Sequence, residues 1–337
     1  MNPVASAPAP APLFLRVAEA RLLNPLIRML RLVQPDGAAL PGWSPGSHIK
    51  LRVTLPDGST DWRQYSLIDF DGTAGTPGFA PTHYTIAVRR EQAGRGGSRF
   101  VHEGLEAGAA IEVEPPRNDF ELQPAGGATV LLAGGIGITP LASMAAHCHA
   151  AGRPLRLHYA GRSRALMAFL PELERLLGER LHVHADEDAG GEVFDVGALL
   201  DGLGPDDHLY VCGPKPLLDG VLAAAQARHW AAGRVHFELF TAPVAAAGDQ
   251  PFEVELAQSG QTYTVPANQT LLDCLIEHGC DPMFDCKRGE CGVCATPVIS
   301  GEVDHRDYVL TSSEKDSGKV IQICVSRAKG RRLVIDL

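Results

Sequence analysis

Cys286, Cys291 and Cys294 crowd one short loop, Asp285-Cys286-Lys287-Arg288-Gly289-Glu290-Cys291-Gly292-Val293-Cys294, and a fourth cysteine, Cys324, stands far downstream in Ile323-Cys324-Val325. Four residues separate the first pair and two the second, the spacing with which a plant-type loop wraps a 2Fe-2S cluster before a distant thiolate closes the cage. The chain must therefore fold so that this loop meets the segment carrying Cys324. Soft thiolates suit iron bridged by sulfide, and Gly289 and Gly292 let the backbone curl so that N–H groups point at the sulfurs. A structural zinc ordinarily uses two short Cys-x2-Cys knuckles, whereas three candidate ligands here share one loop. Four unrelated thiols are the other competing reading. On the cluster reading, Cys286, Cys291, Cys294 and Cys324 are the metal ligands and the loop is an electron exit.

At 337 residues the chain is too long for one ordinary core, and three domains are expected. Apolar content of 45% with 21% charged residues describes a soluble globular α/β or α+β protein and excludes disordered and fibrous classes. A formal charge of −10 argues against nucleic acid as a partner, because neutralising phosphates takes clustered Lys and Arg. Residues 251–337 hold 13 acidic and 9 basic residues, only −4 of that charge, so the acidity is spread and marks no partner face. Cys148, Cys212, Cys274 and Cys280 read as buried small apolar residues, Cys212 with a functional alternative. No secretory leader is visible, and a reducing cytoplasm is expected. The apolar run 128–146 is long enough to raise a membrane span, but Gly134, Gly135, Gly137 and Pro140 break it into strand, loop and helix, and no membrane association is expected.

Residues 1–12, rich in Ala and Pro, form an expected extended leader. From 13 to 118, short apolar runs alternate with turn signals (Leu13-Leu15-Val17, Ile27-Met29, Ile49-Leu51-Val53, Tyr65-Leu67, Tyr84-Ile86-Val88), which predicts a small antiparallel β-barrel. Two segments in it carry chemistry. Arg63-Gln64-Tyr65-Ser66-Leu67 puts a permanent cation, an aromatic ring and a hydroxyl on or beside one strand, and Gly94-Arg95-Gly96-Gly97-Ser98 offers a flexible run of backbone donors. An arginine fork and a glycine-rich nest suit a phosphate ester, and a tyrosine gives a planar cofactor a face to lie against. Taken singly, the strand is ordinary packing and the glycines an ordinary turn. Arg89 could reach the same phosphate or be a solvated surface cation.

Residues 119–240 alternate strands and helices. Thr129-Val130-Leu131-Leu132-Ala133 is a continuous apolar strand of the fully buried kind, followed by Gly134-Gly135-Ile136-Gly137-Ile138-Thr139-Pro140 and a predicted helix over 141–150. Glycines at such a turn admit a pyrophosphate, and the helix N-terminus offers unpaired N–H groups; tight packing explains them equally well. Later strand ends lead into Gly161-Arg162-Ser163-Arg164 and Cys212-Gly213-Pro214. In an open parallel sheet, ligands lie beyond the carboxyl ends of the strands. Arg162 and Arg164 could hold the adenosine side of a dinucleotide or lie in a solvated loop, and Cys212 would be where a nicotinamide must lie or be a plain buried thiol. Residues 241–250 read as a linker, and 251–337 as a terminal module with a helix N-capped by Thr270.

In order along the chain, Arg63-x-Tyr65-Ser66, Gly96-Gly97-Ser98, Gly134 to Pro140, Tyr210-Val211-Cys212-Gly213-Pro214 and the four cysteines resemble the phthalate dioxygenase reductase family, which includes vanillate demethylase reductase components. The likeness spans residues 13–337. It implies a multidomain protein made of an FMN-binding β-barrel, an α/β parallel-sheet domain for NADH and a C-terminal plant-type ferredoxin domain of the α+β, β-grasp kind. It further implies that Arg63, Tyr65, Ser66, Val88, Arg89, Gly96, Gly97 and Ser98 hold the flavin and its phosphate. Gly135, Ile136, Gly137, Thr139, Pro140, Cys212 and Gly213 would hold the nicotinamide half, with Arg162 and Arg164 toward the adenosine. Glu238 and Phe240 fall where such reductases keep an acid and an aromatic ring near the flavin, and Ser66, Cys212 and Glu238 are the catalytic candidates. The implied activity passes electrons from NADH through FMN and a 2Fe-2S cluster to a separate Rieske-type terminal oxygenase of an aromatic acid; the implied protein is a monomer. An FAD-dependent reductase serving a cytochrome or a hybrid-cluster protein is the competing reading. The family often has acidic residues after its first cysteine, whereas Lys287 and Arg288 are basic. That leads to the expectation that these two charges raise the cluster potential, with Glu290 opposing them.

Overall fold

The computed structural model describes residues 11–337 apart from 93, 125, 191–193, 232, 241–245 and 247. Most of the expected leader and much of the expected linker lie outside the described residues. The chain divides into two compact units, Met1–Glu238 and Leu239–Leu337.

The first unit opens with β1 (Leu13–Asn24), β2 (Ile27–Val33), β3 (His48–Thr54), β4 (Thr60–Ser66), β5 (Tyr84–Arg89), α1 (Gly97–Gly104) and β6 (Ala110–Arg117). Every pairing among these strands is antiparallel, in the order β4-β3-β6-β1-β2-β5, and the end strands β4 and β5 return to each other. Alternation produces this barrel: Leu15 and Val17, Leu30 and Leu32, Ile49, Leu51 and Val53, and Ile86 and Val88 all point inward, at no more than 2% exposure. Each contributes about 1.5–3 kcal/mol by leaving water.

There follow β7 (Thr129–Gly134), α2 (Ile138–Ala150), β8 (Leu155–Gly161), α3 (Leu170–Leu177), β9 (Leu181–Ala185), α4 (Val196–Asp201), β10 (His208–Cys212), α5 (Lys215–Ala227) and β11 (Val235–Glu238). The sheet is parallel, ordered β11-β10-β7-β8-β9. All six residues of β7 are buried, as a central strand covered on both faces requires. Helix α2 begins at Ile138, three residues before the expected Leu141. Pro140 falls in its first turn, where a missing N–H costs nothing because no intrahelical acceptor is available there. Residues 138–146 are buried throughout, because α2 also meets the barrel: Ser143 donates to the Leu67 carbonyl at 2.8 Å and accepts from Asp69 N–H at 2.9 Å.

The second unit contains β12 (Phe252–Leu256), β13 (Thr262–Val265), α6 (Leu271–Glu277), β14 (Ala295–Ser300), β15 (Val303–Asp304), α7 (Ser312–Ser317), β16 (Val320–Gln322), β17 (Arg327–Ala328) and β18 (Arg332–Ile335). A mixed sheet, β13-β12-β18-β14-β16, holds α6 through Leu271, Leu272 and Leu275 packed with Val254, Val265 and Leu333. Thr270 caps that helix by accepting from Asp273 N–H at 3.0 Å.

Candidate functional site

In the second unit the loop between α6 and β14 folds onto Cys324. Its curl uses left-handed backbone at Lys287, Gly289 and Gly292, with φ of 54°, 79° and 77°. At Gly289 a side chain would also collide, since a Cβ would lie 2.7 Å from Val325 Cγ2. Tyr308 N–H donates to the Gly289 carbonyl at 2.9 Å, which pins the loop from the far side. Cys286, Cys294 and Cys324 are buried and Cys291 is exposed. The four thiols pair with one another: Cys286 with Cys291 and Cys324, and Cys294 with Cys324. Hydrogen bonds from Cys291 and Cys324 drive the Cys286 thiol far below its usual range, helped by the N–H groups of Arg288 and Glu290 and opposed by burial. The Arg288 N–H lies 3.3 Å from Cys286 Sγ. These thiols stand in for thiolates.

The basic residues of the loop do not face solvent as free charges. Lys287 pairs with Asp273 of α6 at 2.9 Å and lies 4.8 Å over the Phe284 ring. Arg288 is buried, at 7% exposure, and its guanidinium meets Glu290 at 2.7 Å. The other Glu290 oxygen accepts from Leu239 N–H at 2.9 Å. Burial raises the Glu290 carboxyl while Arg288 pulls it back down.

In the first unit β5 approaches the turn 135–137 that follows β7, and the residues on the two sides of that approach form the candidate crevice. On β4, Arg63 is tied to Asp61 and donates to the Trp62 carbonyl at 2.9 Å, yet its Nη2 is buried without a hydrogen-bond partner, as is Ser66 Oγ. Arg63 lies across the start of α1 so closely that a Cβ at Gly97 would be 3.0 Å from its Cγ and Nε. Gly96, at φ 101°, turns the chain into that helix. Ser98 Oγ accepts from Glu91 N–H at 3.0 Å. Tyr65 packs on the barrel core, and burial pushes its phenol up. Val88 is buried and its carbonyl is held by His102 Nε2 at 2.8 Å, while Arg89 is exposed beside Glu91 at 3.7 Å.

Across the crevice, Gly135 has φ 55° and open space where a Cβ would be. Its carbonyl accepts from the buried Tyr159 hydroxyl at 3.1 Å. Gly137 differs: a Cβ there would be 2.0 Å from the Cys212 carbonyl oxygen. Gly213 approaches Gly134 in the same way, with a Cβ 3.0 Å from its Cα. Thr139 is buried and donates to the Ile136 carbonyl at 3.1 Å. Cys212 and Glu238 are both buried and stand in register at the carboxyl ends of β10 and β11. Arg162 and Arg164 are exposed beyond β8. Arg164 is committed to Glu174 at 2.5 Å, and its N–H to Glu187 at 2.8 Å. Phe240, half-buried, belongs to the second unit.

Two family models match: the 2Fe-2S iron-sulfur cluster binding domain over residues 254–329 and the oxidoreductase NAD-binding domain over residues 131–222. The toluene-4-sulfonate monooxygenase system reductase subunit TsaB1 of Comamonas testosteroni is 40% identical over 324 residues, 95% of this chain and 98% of that protein. Phthalate dioxygenase reductase of Burkholderia cepacia is 38% identical over 326 residues, 96% of this chain and 97% of that one. The chain belongs to the phthalate dioxygenase reductase family. A solved phthalate dioxygenase reductase, described as a modular structure for electron transfer from pyridine nucleotides to [2Fe-2S], superposes with a TM-score of 0.72 at 37% identity, covering 97% of this chain and 98% of its own.

As a member of that family, the chain is an oxidoreductase with an NAD(H)-binding sheet and a 2Fe-2S domain, and its residues fit those groups. The four thiols form one connected set, Cys286 with Cys291 and Cys324 and Cys294 with Cys324, a donor set of four soft ligands that suits a 2Fe-2S cluster. In the crevice, the orphaned Ser66 hydroxyl and Arg63 Nη2 are polar atoms that a bound group must satisfy. Sequence reasoning missed Asp61, which orients Arg63, Tyr159, which fixes the Gly135 carbonyl, and Tyr308, which pins the cluster loop. Tyr159 and Tyr308 have no local signal, since each acts on a residue distant in sequence, whereas Asp61 stands two residues before Arg63 on β4, an alternation that could have flagged it.

Proposed function

We propose that this chain is the reductase component of a multicomponent oxygenase, taking electrons from NADH through FMN and the 2Fe-2S cluster to a separate Rieske-type terminal oxygenase of an aromatic acid. The observation that carries this reading is the pair of orphaned polar atoms, Ser66 Oγ and Arg63 Nη2, on β4 beside the strand β5 that approaches the nucleotide turn, in one chain with four clustered thiols. Flavin chemistry accepts an electron pair as hydride and releases single electrons that an iron–sulfur cluster carries onward.

In this reading Arg63 and the N–H groups at the start of α1 hold the flavin phosphate, with Val88, Arg89, Gly96 and Ser98 around it. Tyr65 gives the ring system a face, and Ser66 donates to its polar edge. Gly135 leaves its backbone open to the nicotinamide half, with Ile136, Thr139, Pro140 and Gly213 shaping the turn, and Cys212 and Glu238 line the end of the sheet. Phe240 is a further candidate beside the flavin. Arg162, exposed beyond β8, is the candidate for the adenosine side, ahead of Arg164, which Glu174 already occupies. Cys286, Cys291, Cys294 and Cys324 carry the irons. The corresponding domains are 13–118, 119–240 and 251–337, with leader 1–12 and linker 241–250. The protein acts as a cytoplasmic monomer without membrane attachment; among the described residues no helix is long and apolar enough to cross a membrane.

The test is anaerobic reconstitution followed by analysis of iron, sulfide and the flavin released on heating, then initial rates with NADH and NADPH. FMN, two irons with two sulfides per chain and faster turnover with NADH are expected. Release of an adenine-bearing flavin would favour the FAD-dependent alternative, and absence of sulfide would remove the reading.

A further inference from the structure

Glu290 immediately precedes Cys291, and its carboxylate is only 15% exposed. Both oxygens are engaged: one by the Arg288 guanidinium at 2.7 Å, the other by the main-chain N–H of Leu239 at 2.9 Å. Leu239 is the first residue of the second unit and follows directly on Glu238, the last residue of β11. Along the sequence, the 52 residues 239–290 intervene between Glu238 and Cys291. Through the hydrogen bond the connection shortens to Leu239 and Glu290 alone.

A buried ion pair is weak evidence for stability, since desolvation consumes much of its attraction and apolar side chains would close a loop as well. A role in placement accounts for this pair better. Arg288 holds the Glu290 carboxylate in one orientation, and that orientation presents its second oxygen to a single backbone donor. The Leu239 N–H is thereby satisfied outside any sheet ladder, and leaving it unpaired at this buried residue would itself be costly. Leu239 is 5% exposed, so water is a poor substitute partner.

We propose that Glu290 is a positioning residue for electron delivery: its carboxylate ties the cluster loop, one residue from ligand Cys291, to the main chain where it leaves β11, and Arg288 orients it for that task. The inference rests on the functional reading above. Its consequence is that the cluster loop is anchored to the main chain at Leu239, the residue that directly follows β11.

The experiment compares the holoprotein with Leu239→Pro, which removes the donor N–H and touches no loop residue; Leu239→Ala, which keeps the N–H and loses the side chain; Glu290→Ala; and Glu290→Gln, which keeps an acceptor oxygen. Hydrogen exchange read by mass spectrometry reports the peptide containing Leu239. Anaerobic stopped-flow mixing with NADH reports flavin bleaching and cluster bleaching separately, and a redox titration followed by electron paramagnetic resonance gives the cluster midpoint. Protection at Leu239 should be lost in Glu290→Ala and retained in Glu290→Gln. In Leu239→Pro cluster bleaching should slow about tenfold or more, as small misplacements do, with flavin bleaching and the midpoint unchanged; Leu239→Ala should behave as the parent, and Glu290→Gln should recover much of the rate lost in Glu290→Ala. Parent-like cluster bleaching in Leu239→Pro, or an unprotected Leu239 amide in the parent, would overturn the proposal while leaving the functional reading intact. A parent without flavin or sulfide would overturn both.

Discussion

The cluster loop and the nucleotide crevice solve the same problem, holding a group that the chain itself lacks, by opposite means. The loop gathers three of its four candidate ligand side chains from nine consecutive residues, Cys286 to Cys294, and the chain bends to suit them through left-handed backbone at Lys287, Gly289 and Gly292. The candidate crevice draws on β4, β5 and the ends of β7, β10 and β11, and on its nucleotide side it offers mainly backbone: an open glycine at 135, a helix start at 138, a glycine approach between 134 and 213. A site made of side chains should fail by losing its ligand, and a site made of backbone should fail by losing its fold.

The sharpest break is at the ligands. Replacing Cys294 by Ser should abolish the cluster, read as loss of labile sulfide and of the reduced electron paramagnetic resonance signal, while NADH still bleaches the flavin. The side chain is nearly buried, at 3% exposure, and isosteric, so the second unit should keep its circular dichroism. If flavin bleaching vanished as well, the two sites would not be separable.

Glycine substitutions test the other half. Gly137→Ala drives a Cβ to 2.0 Å from the Cys212 carbonyl oxygen, a main-chain clash that cannot relax by rotating a side chain, and should destabilise the first unit by about 3 kcal/mol or more. Gly135→Ala meets nothing within 4 Å but has φ 55°, so it should cost only about 1 kcal/mol while raising the KM for NADH. Urea melts of the two variants alongside NADH titrations check the contrast. Equal destabilisation would mean that the turn is packing alone.

Acid should separate the two units. His158 stacks on His182 and lies 3.1 Å from His184, and burial followed by its histidine neighbours lowers it to about 4. With the folded value below the unfolded one, the unfolded chain binds the extra proton, so the first unit should lose stability as pH falls from about 6.5 toward 4, by at most about 2–3 kcal/mol. In the second unit Asp249 is held down to about 2, first by hydrogen bonds from Arg306. Its contribution is present above the usual carboxylate value and fades only as pH falls from there through about 2. Melts monitored by peptide-resolved hydrogen exchange between pH 7 and 4 should show the first unit weakening first, and His158→Gln should flatten that slope.

How legible each region was in the sequence follows the same contrast. The cysteine spacing names its ligands because they are local, and strands with clean alternation, such as β3 over His48–Thr54, announce themselves. Strand β6 does not, because Pro115 and Pro116 argue against a central strand. The structure accommodates them where its pairing with β3 slips, between His48 opposite Arg117 and Lys50 opposite Glu114. Strand β9 hides behind His182 and His184, polar residues whose partners come from β8 and the segment after β9. The start of α2 was obscured by Pro140, a breaker everywhere except in a first turn. In the crevice, the motifs pointed to Arg63 and Ser66, but only the fold reveals that each retains a buried atom with nothing to bond.

Charge is where sequence and structure part most clearly, and it supplies the smallest expected effect. Two adjacent basic residues after the first ligand suggest a raised cluster potential, yet each already has an anionic partner, Asp273 for Lys287 and Glu290 for Arg288. Lys287 is the accessible one, with its side chain 38% exposed. Solvent-screened pairs of this kind are worth about 0.5 kcal/mol, which for one electron is on the order of 20 mV. Lys287→Gln should therefore lower the midpoint by no more than about that amount, and Asp273→Asn, which frees the lysine charge, should raise it by a similar step. Redox titrations of both at low and high salt check the pair, with the shifts shrinking as salt rises. A shift several times larger, persisting in salt, would show that the cluster feels Lys287 directly through a poorly screened path, and that the loop's charges tune it as the bare sequence suggests.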